Sequence, residues 1–172
     1  MRFCSGLLVA LLVVTLVAAA GAHPAHVFAQ DTATTTAARN SVFLEIGGNA
    51  LLYSINYDRK ISEHISLRTG VAGIPRISVI SPTLSSPNMI NYTIGRGDER
   101  LEIGIGFTAA ITRTYVGEKD DTVTRAGVAP TAALGYRYQP VEDGWFIRGS
   151  FTPVFSGEGP LAWVGFSIGQ TW

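Results

Sequence analysis

Few residues of this sequence have the types and spacing that catalysis requires. Beyond residue 29 there is a single histidine, His64, in the short segment SEH. Nucleophilic catalysis needs a nucleophile beside a general base that a third group orients, and no serine and acid are spaced to join this histidine. We therefore expect His64 to be a solvated turn residue, and we expect the protein not to be an enzyme.

The acidic segment GEKDD, residues 117–121, is a second candidate for chemistry. Glu118, Asp120 and Asp121 carry the hard oxygen ligands that calcium prefers, but their spacing is not that of a defined calcium-binding loop. Glycine-rich stretches such as GIGFTA are not followed by a helix, as a phosphate-binding loop would be. The sequence thus predicts an ordinary solvated loop at 117–121, with no metal and no cofactor.

Several charged residues lie within stretches that alternate apolar residues with small or polar ones. Each shares the parity of the glycines, serines and threonines, and each lies a few residues from one end of its stretch. This set, here called the charge layer, comprises Glu45, Arg68, Glu102, Arg137 and Arg148. Because an unpaired charge enclosed by protein is costly, enclosed residues of this kind must pair. We expect Glu102 and Arg137 to lie on neighbouring strands.

The elements that must position these residues are β-strands. From Ser41 onward the chain alternates with period two, and no segment has a convincing helical period. Turn-like clusters divide it into eight candidate strands, at about 41–48, 51–60, 65–74, 87–95, 100–112, 126–138, 145–155 and 161–172. Many short strands without helices predict an all-β sandwich or barrel. If 41–61 were one bent strand, the count would fall to seven, which a closed up-and-down antiparallel barrel disfavours.

The connections between these strands also alternate. Those after the second, fourth and sixth strands are short, and those after the third and fifth are long. Short turns on one side and longer loops on the other are typical of outer-membrane barrels. We therefore predict an eight-stranded antiparallel up-and-down transmembrane β-barrel.

One face of the strands is apolar, and the other is rich in glycine, serine and threonine. Ile55, Ile105 and Phe166 belong to the apolar face. A soluble lipocalin-like barrel would turn that face inward around an apolar ligand, whereas a membrane barrel would turn it to lipid. Mid-strand glycines suit a narrow interior but weaken a water-facing strand. A chain with 15% charged residues also lacks the usual ionic surface of a soluble protein, so we favour the membrane barrel.

In a membrane barrel the charge layer would lie inside, in the half nearer the periplasm. Such a layer could gate a small conductance, but in an eight-stranded interior we expect it to act as a plug. Aromatic residues gather near the same end of the strands, as in the girdles of membrane barrels. The predicted periplasmic girdle comprises Phe43, Tyr57, Tyr138, Trp145 and Trp172.

The first 29 residues resemble a secretory signal peptide. Arg2 precedes the apolar run Gly6–Ala22, and small residues allow cleavage after Ala22 or, as we prefer, after Ala29. Residues 30–40 are polar and aperiodic, which predicts a flexible leader before a barrel at 41–172. The only cysteine, Cys4, leaves with the signal, so no disulfide is expected. With 13 basic and 13 acidic residues, the chain has no nucleic-acid-binding footprint.

Several stretches resemble the small outer-membrane β-barrels of the OmpA/OmpX type. They are LLYSINYDRKISEHISLRTGVAG, PTAALGYRYQP, WFIRGSFTPVF and the terminal WVGFSIGQTW. The resemblance covers about residues 41–172 and is to single-domain members without a cell-wall-binding domain. It implies a terminal strand read by the barrel-assembly machinery, with Val164, Phe166, Ile168 and Trp172 matching that pattern. Gln170 departs from it, since an apolar residue is usual there.

These observations predict an exported, non-catalytic protein of the cell outer membrane, with the lipid bilayer and the assembly machinery as its partners. Its role would be structural, or contact with a surface partner through the longer loops after the third and fifth strands, the first of which Pro75, Pro82 and Pro87 would stiffen. Three alternatives stay open: a soluble secreted barrel that binds an apolar ligand, a narrow channel, and a lipid-modifying barrel. The sequence itself identifies no surface partner.

Overall fold

The computed structural model describes residues 38–76, 81–115, 122–157 and 159–172. The predicted signal peptide, most of the leader and the GEKDD segment lie outside these residues. Among the residues described, no helix is both long enough and apolar enough to cross a membrane.

The described chain is almost entirely β-structure, as the alternation predicted. The strands are β1 (Asn40–Gly47), β2 (Tyr53–Lys60), β3 (Ile65–Ile74), β4 (Thr83–Ile94), β5 (Glu99–Tyr115), β6 (Thr122–Tyr138), β7 (Gly144–Phe151), β8 (Val154–Ser156), β9 (Gly159–Leu161) and β10 (Val164–Thr171). A single 3-10 turn, η1 (Gly48–Ala50), separates β1 from β2. The first connection is therefore a true turn, and 41–61 is not one bent strand.

Sequence neighbours pair in antiparallel fashion, and β10 pairs with β1, so the sheet closes on itself. The short strands β8 and β9 continue β7 and β10 in the same register. Leu134 of β6 pairs with Phe151 of β7, and Thr131, three residues away, pairs with Val154 of β8. The interruptions are at residues 152–153, where Pro153 has no N–H to donate, and at residues 162–163 between β9 and β10. The barrel thus has eight strands, which confirms the predicted fold class.

The two ends of the barrel differ in their connections. One end, here called the terminal end, holds residues 38–40 and 171–172 together with the short turns 61–64, 95–98 and 139–143. At the opposite end, here called the loop end, lie η1, the end of β3 with the start of β4, and the ends of β5 and β8 with the starts of β6 and β9. At the loop end β5 and β6 are longer than predicted, because they continue through the threonine-rich segments TRTY and TVTR, which favour extended structure.

The last residues of the predicted leader belong to the barrel. Ala38 is buried, and its N–H donates to the carbonyl of Val141 at 2.8 Å. The N–H groups of Arg39 and Asn40 both donate to the carbonyl of Trp172, each at 2.9 Å. These bonds join the two termini of the barrel at the terminal end, so the expectation of a flexible segment was wrong for residues 38–40.

The apolar face of the strands points outward, and the polar face lines the lumen. Ile55, Ile105 and Phe166 are 56%, 67% and 51% exposed. The largest fully buried side chains are instead those of Arg137 and Arg148. Interior glycines make room for the neighbouring strand and its lumen-facing side chains. A Cβ at Gly106, for example, would meet Met89 and the carbonyl of Asn88 on β4.

Candidate functional site

The half of the lumen nearer the terminal end holds six buried charged side chains, three basic and three acidic. Five are the charge layer: Glu45 on β1, Arg68 on β3, Glu102 on β5, Arg137 on β6 and Arg148 on β7. The sixth, Asp58 on β2, is also fully buried. Each lies on the lumen-facing parity of its strand, so the closure of the barrel brings six separate strand positions together.

These side chains form one chain of ion pairs in alternating sign. Arg148 lies between two acids, with Nη1 2.8 Å from Glu102 Oε1 and Nη2 paired with Glu45. Arg137 likewise joins Glu102 to Asp58, whose Oδ2 is 3.0 Å from Nη2. Arg68 forms the other end of the chain of ion pairs, with its Nη1 3.5 Å from Glu45 Oε1. The order is Arg68–Glu45–Arg148–Glu102–Arg137–Asp58, and the set is electrically neutral.

Asp58 was not among the predicted interior charges, although its position follows the rule that found the others. It lies two residues after Asn56 in the segment NYDRK, so it continues the polar face of β2. Its Oδ2 accepts hydrogen bonds from Ser66 at 3.0 Å and from Asn91 at 3.3 Å, as well as from Arg137. Extending the period-two pattern to the end of β2 would have included it.

An aromatic pair lies against the charged side chains on the side of the terminal end. The rings of Phe43 and Phe146 stack with centroids 4.7 Å apart. The guanidinium of Arg137 is 5.1 Å from the ring of Phe146, and that of Arg148 is 5.4 Å from the ring of Phe43. Both separations allow cation–π attraction. Each of the two buried arginines thus packs against an aromatic ring whose face attracts its positive charge.

The prediction that Phe43 belongs to an outer aromatic girdle was wrong. Phe43 is 1% exposed, because it shares the parity of Glu45 and so points into the lumen. It stacks on Phe146 across an intervening strand, since both residues pair with Gly169 of β10. A Cβ at Gly169 would collide with the backbone and Cβ of Phe43. Glycine at this position therefore allows the stack.

The other four predicted girdle residues point outward near the terminal end. Tyr138, Trp145 and Trp172 are 38%, 61% and 50% exposed. Tyr57 is partly exposed, and its hydroxyl donates to Asn40 Oδ1 at 2.7 Å. Amphipathic rings of this kind suit a boundary between an apolar medium and water.

Polar contacts close the lumen at the terminal end. The buried amide of Gln139 donates to the hydroxyls of Ser41 at 3.1 Å and Thr171 at 3.0 Å. Its Oε1 accepts from Arg137 Nη1 at 3.3 Å. Gln139 therefore links the ion-pair chain to the strands β1 and β10, where the barrel closes.

The turn η1 folds into the lumen toward the loop end. Asn49 is buried, its Nδ2 donates to the hydroxyl of Thr131 at 3.1 Å, and its carbonyl accepts from Thr108 at 3.0 Å. The indole of Trp163 donates to the carbonyl of Leu51 at 2.7 Å, which fixes the end of the turn. Leu51 has a φ of 73°, uncommon for a residue with a side chain. The turn is thus held in place from several strands.

The histidine considered for chemistry lies apart from the lumen. His64 is exposed in the turn 61–64, with its ring 5.7 Å from that of Tyr92 and its Nδ1 3.1 Å from the carbonyl oxygen of Thr93. Within the described ranges, no three of the metal-ligating residue types group closely enough to hold an ion. In the described interior, paired charges, stacked rings and the turn η1 fill the lumen.

The outer surface carries an apolar belt of defined height. On β5 it runs through alternate residues from Leu101 to Ile111. The ten residue steps from Leu101 to Ile111, at about 3.3 Å each and at the tilt of about 40° typical of membrane barrels, correspond to a height of roughly 25 Å. That is the height of the lipid-facing band of outer-membrane barrels.

Comparison with solved structures finds several similar chains. The N-terminal β-barrel domain of Pseudomonas aeruginosa OprF matches with a TM-score of 0.61 and 14% identity, over 80% of this chain and 98% of that domain. Ail of Yersinia pestis matches with a TM-score of 0.48 and 10% identity, over 78% of this chain and 94% of Ail. AlkL matches with a TM-score of 0.41 and 12% identity, over 86% and 94% of the two chains.

No protein-family model matches the sequence, and no curated protein matches it. At 14% identity the match to the OprF barrel shows the fold alone. The chain has the fold of the small eight-stranded outer-membrane β-barrels, which confirms the predicted resemblance to the OmpA/OmpX type at the level of architecture.

Proposed function

We propose that this protein is an integral outer-membrane β-barrel without a catalytic role, which acts as a structural protein or contacts a surface partner through its longer loops. The observation that carries the proposal is the inverted distribution of polarity. Apolar side chains cover the outside over roughly 25 Å, and the buried side chains are mostly polar or charged. Such a surface is stable only where hydrocarbon replaces water around it.

The alternative of a soluble barrel with an apolar ligand inside is contradicted by the same residues. That function requires Ile55, Ile105 and Phe166 to line a cavity, yet each is more than half exposed on the outside. The lumen offers an apolar ligand instead a chain of six paired charges.

A narrow channel and a lipid-modifying enzyme have less support. The ion-pair chain, the stacked pair Phe43–Phe146 and the turn η1 occupy successive levels of an eight-stranded lumen. A lumen of this strand number is just wide enough for side chains to fill. The described residues place no nucleophile beside a base and an orienting acid. We infer that the protein neither conducts ions appreciably nor turns over lipid.

The barrel would insert with its terminal end in the periplasm and its loop end outside the cell. The short turns at the terminal end fit periplasmic turns, and the outward rings of Tyr138, Trp145 and Trp172 fit the inner interfacial girdle. The outward parity of β10 carries Val164, Phe166 and Ile168, with Gln170 also outward. This face would be presented to the assembly machinery during insertion.

Cell fractionation combined with gel mobility tests the membrane assignment. We expect the protein in the outer-membrane fraction, extractable only with detergent, and migrating differently in SDS before and after boiling. Recovery as a soluble periplasmic protein without detergent would contradict the assignment. A planar-bilayer recording of the same preparation would contradict the closed lumen if it showed a conductance.

Loop replacement tests the surface role separately from insertion. Substituting residues 116–121 by a tight Asn-Gly turn should leave the heat-dependent mobility unchanged. Any binding of intact cells to a surface partner should fall with this variant, and not with a matched shortening of the terminal-end turn 139–143. Equal binding by both variants would exclude a role for this loop.

A further inference from the structure

The ion-pair chain has two unequal ends that lie next to each other in the wall of the barrel. Asp58 and Arg68 are direct partners in the pairing of β2 with β3. The ion pairs of Arg68 and Asp58, however, are with Glu45 and with Arg137. The chain therefore begins and ends on adjacent strands, and one further link would close it into a ring.

Arg68 is short of hydrogen-bond acceptors. Its side chain is fully buried, and none of its three nitrogens has a hydrogen-bond partner among the described residues. Its single ion pair, at 3.5 Å, is to a carboxylate oxygen that also pairs with Arg148. A buried guanidinium with unmet donors is costly, so a further group is required to accept from it.

The neighbouring strands carry buried hydrogen-bond acceptors that lack donors. Asp58 Oδ1, Asn56 Oδ1 and Asn91 Oδ1 are buried oxygens without a hydrogen-bond donor among the described residues. Asn56 pairs in register with Gly70, and Asn91 with Ser66, so both belong to strands that flank Arg68. The amide oxygens lie over Gly70 and Gly104, where a Cβ would collide with them. Unmet acceptors thus occur on both strands that flank Arg68, with Asn56 Oδ1 over Gly70 of β3 and Asn91 Oδ1 over Gly104 of β5.

We propose that this region of β2, β3 and β4 is a binding site for a small cluster of internal water molecules that joins Arg68 to Asp58, Asn56 and Asn91. The ligand must donate to oxygens and accept from a guanidinium, and water does both with two to four partners. An anion would meet three acceptor oxygens, one of them a carboxylate oxygen. A cation would meet Arg68. The neutral charge balance of the six residues also leaves nothing for an ion to compensate.

A crystal structure of the detergent-extracted protein, from crystals soaked in sodium bromide, tests the site. We expect ordered water within about 3 Å of an Arg68 nitrogen and of at least one of the three oxygens, with no anomalous bromine signal there. A bromine peak at Arg68 would overturn the proposal in favour of an anion site. A direct Arg68–Asp58 pair without intervening water would overturn it in favour of a dry, closed ring.

The variant Arg68→Met tests whether the water molecules are bound by Arg68 or only occupy free space beside it. Methionine keeps much of the length of the side chain but has no donors. We expect the water nearest to position 68 to be lost, while the pairs of Arg148 and Arg137 keep their geometry. An unchanged set of waters in this variant would show that Arg68 does not hold them. The proposal does not depend on membrane insertion, which the fractionation above tests.

Discussion

At the terminal end of the barrel, side chains from β1, β2, β3, β5, β6 and β7 meet in the lumen, whereas at the loop end two strands continue beyond their neighbours. Glu102 and Arg137, from adjacent strands of the terminal end, are both fully buried. On the same strand β6, Thr122–Val128 are exposed on both faces. The pairing of β5 with β6 is continuous over both regions, so backbone pairing does not account for the difference in burial. Burial depends instead on whether the lumen-facing side chains contact side chains from other strands.

The two regions are stabilised by different kinds of contact. The terminal end is fixed by ion pairs, a ring stack and the bonds that join the termini. The projecting part of β5 and β6 is held by its ladder and by little packing, so its side chains are free to vary without loss of the barrel. Under the proposed function, contacts with a surface partner are expected in this projecting part, because sequence changes there cost the barrel little stability.

The largest expected effect comes from breaking the ion-pair chain. Glu102→Ala leaves Arg137 and Arg148 buried with one acid each, and should lower the free energy of unfolding by about 3–5 kcal/mol. Urea unfolding of the protein in lipid vesicles, followed by tryptophan fluorescence, measures it. Glu63→Ala in the exposed turn 61–64 is the matched control, with an expected change within about 0.5 kcal/mol. Equal effects would show that the chain of pairs does not stabilise the terminal end.

A charge placed on the apolar belt should have the next largest effect. Ile105→Arg puts a guanidinium against the hydrocarbon near mid-height, at an expected cost of about 2–4 kcal/mol in the same vesicles. Val123→Arg, on the projecting part of β6, should cost about 0–1 kcal/mol. If the two variants unfold alike, the belt does not face lipid, and the contrast between the regions fails.

The glycine beneath the ring stack gives a smaller and more local test. Gly169→Ala places a Cβ against Phe43, and overpacking of this kind costs about 1–3 kcal/mol. Gly149→Ala is the control, because a Cβ there would meet nothing within 4 Å. We expect near-native stability for the control, and a stable Gly169→Ala barrel would show that the Phe43–Phe146 stack tolerates displacement.

The smallest expected effect concerns the turn at the loop end. Trp163→Phe removes the hydrogen bond to the carbonyl of Leu51 and should cost about 0.5–1.5 kcal/mol. Amide hydrogen exchange should quicken at residues 48–52 and stay unchanged around Glu102. Trp145→Phe, at the terminal end, is the control. Faster exchange throughout the barrel in Trp163→Phe would contradict the independence of the two ends.

Much of the interior could be read from period two, because alternation decides which side chains share a face. Glu45, Arg68, Glu102, Arg137 and Arg148 follow it, and all are buried. The same rule correctly applied would have put Phe43 inside, since it shares the parity of Glu45. Aromatic character suggested a girdle instead, but a narrow lumen accepts a ring where a neighbouring strand offers glycine.

Sequence alone could not supply the partners of these charges or the role of Gly169. Asp58 reaches Arg137 because β2 and β6 face each other across the lumen, 79 residues apart along the chain. The inward fold of η1 depends likewise on Thr108 and Thr131 from distant strands. Such contacts are set by the closure of the sheet and by its register, which no local pattern encodes.

The sequence by itself determined that this chain forms alternating strands with one apolar and one small, polar face, because side chains of a strand point to opposite sides in turn. The tertiary structure decided which face is outside and which charge meets which. Closing eight strands leaves a lumen so narrow that its side chains must touch, so charges brought in from separate strands have to neutralise one another there.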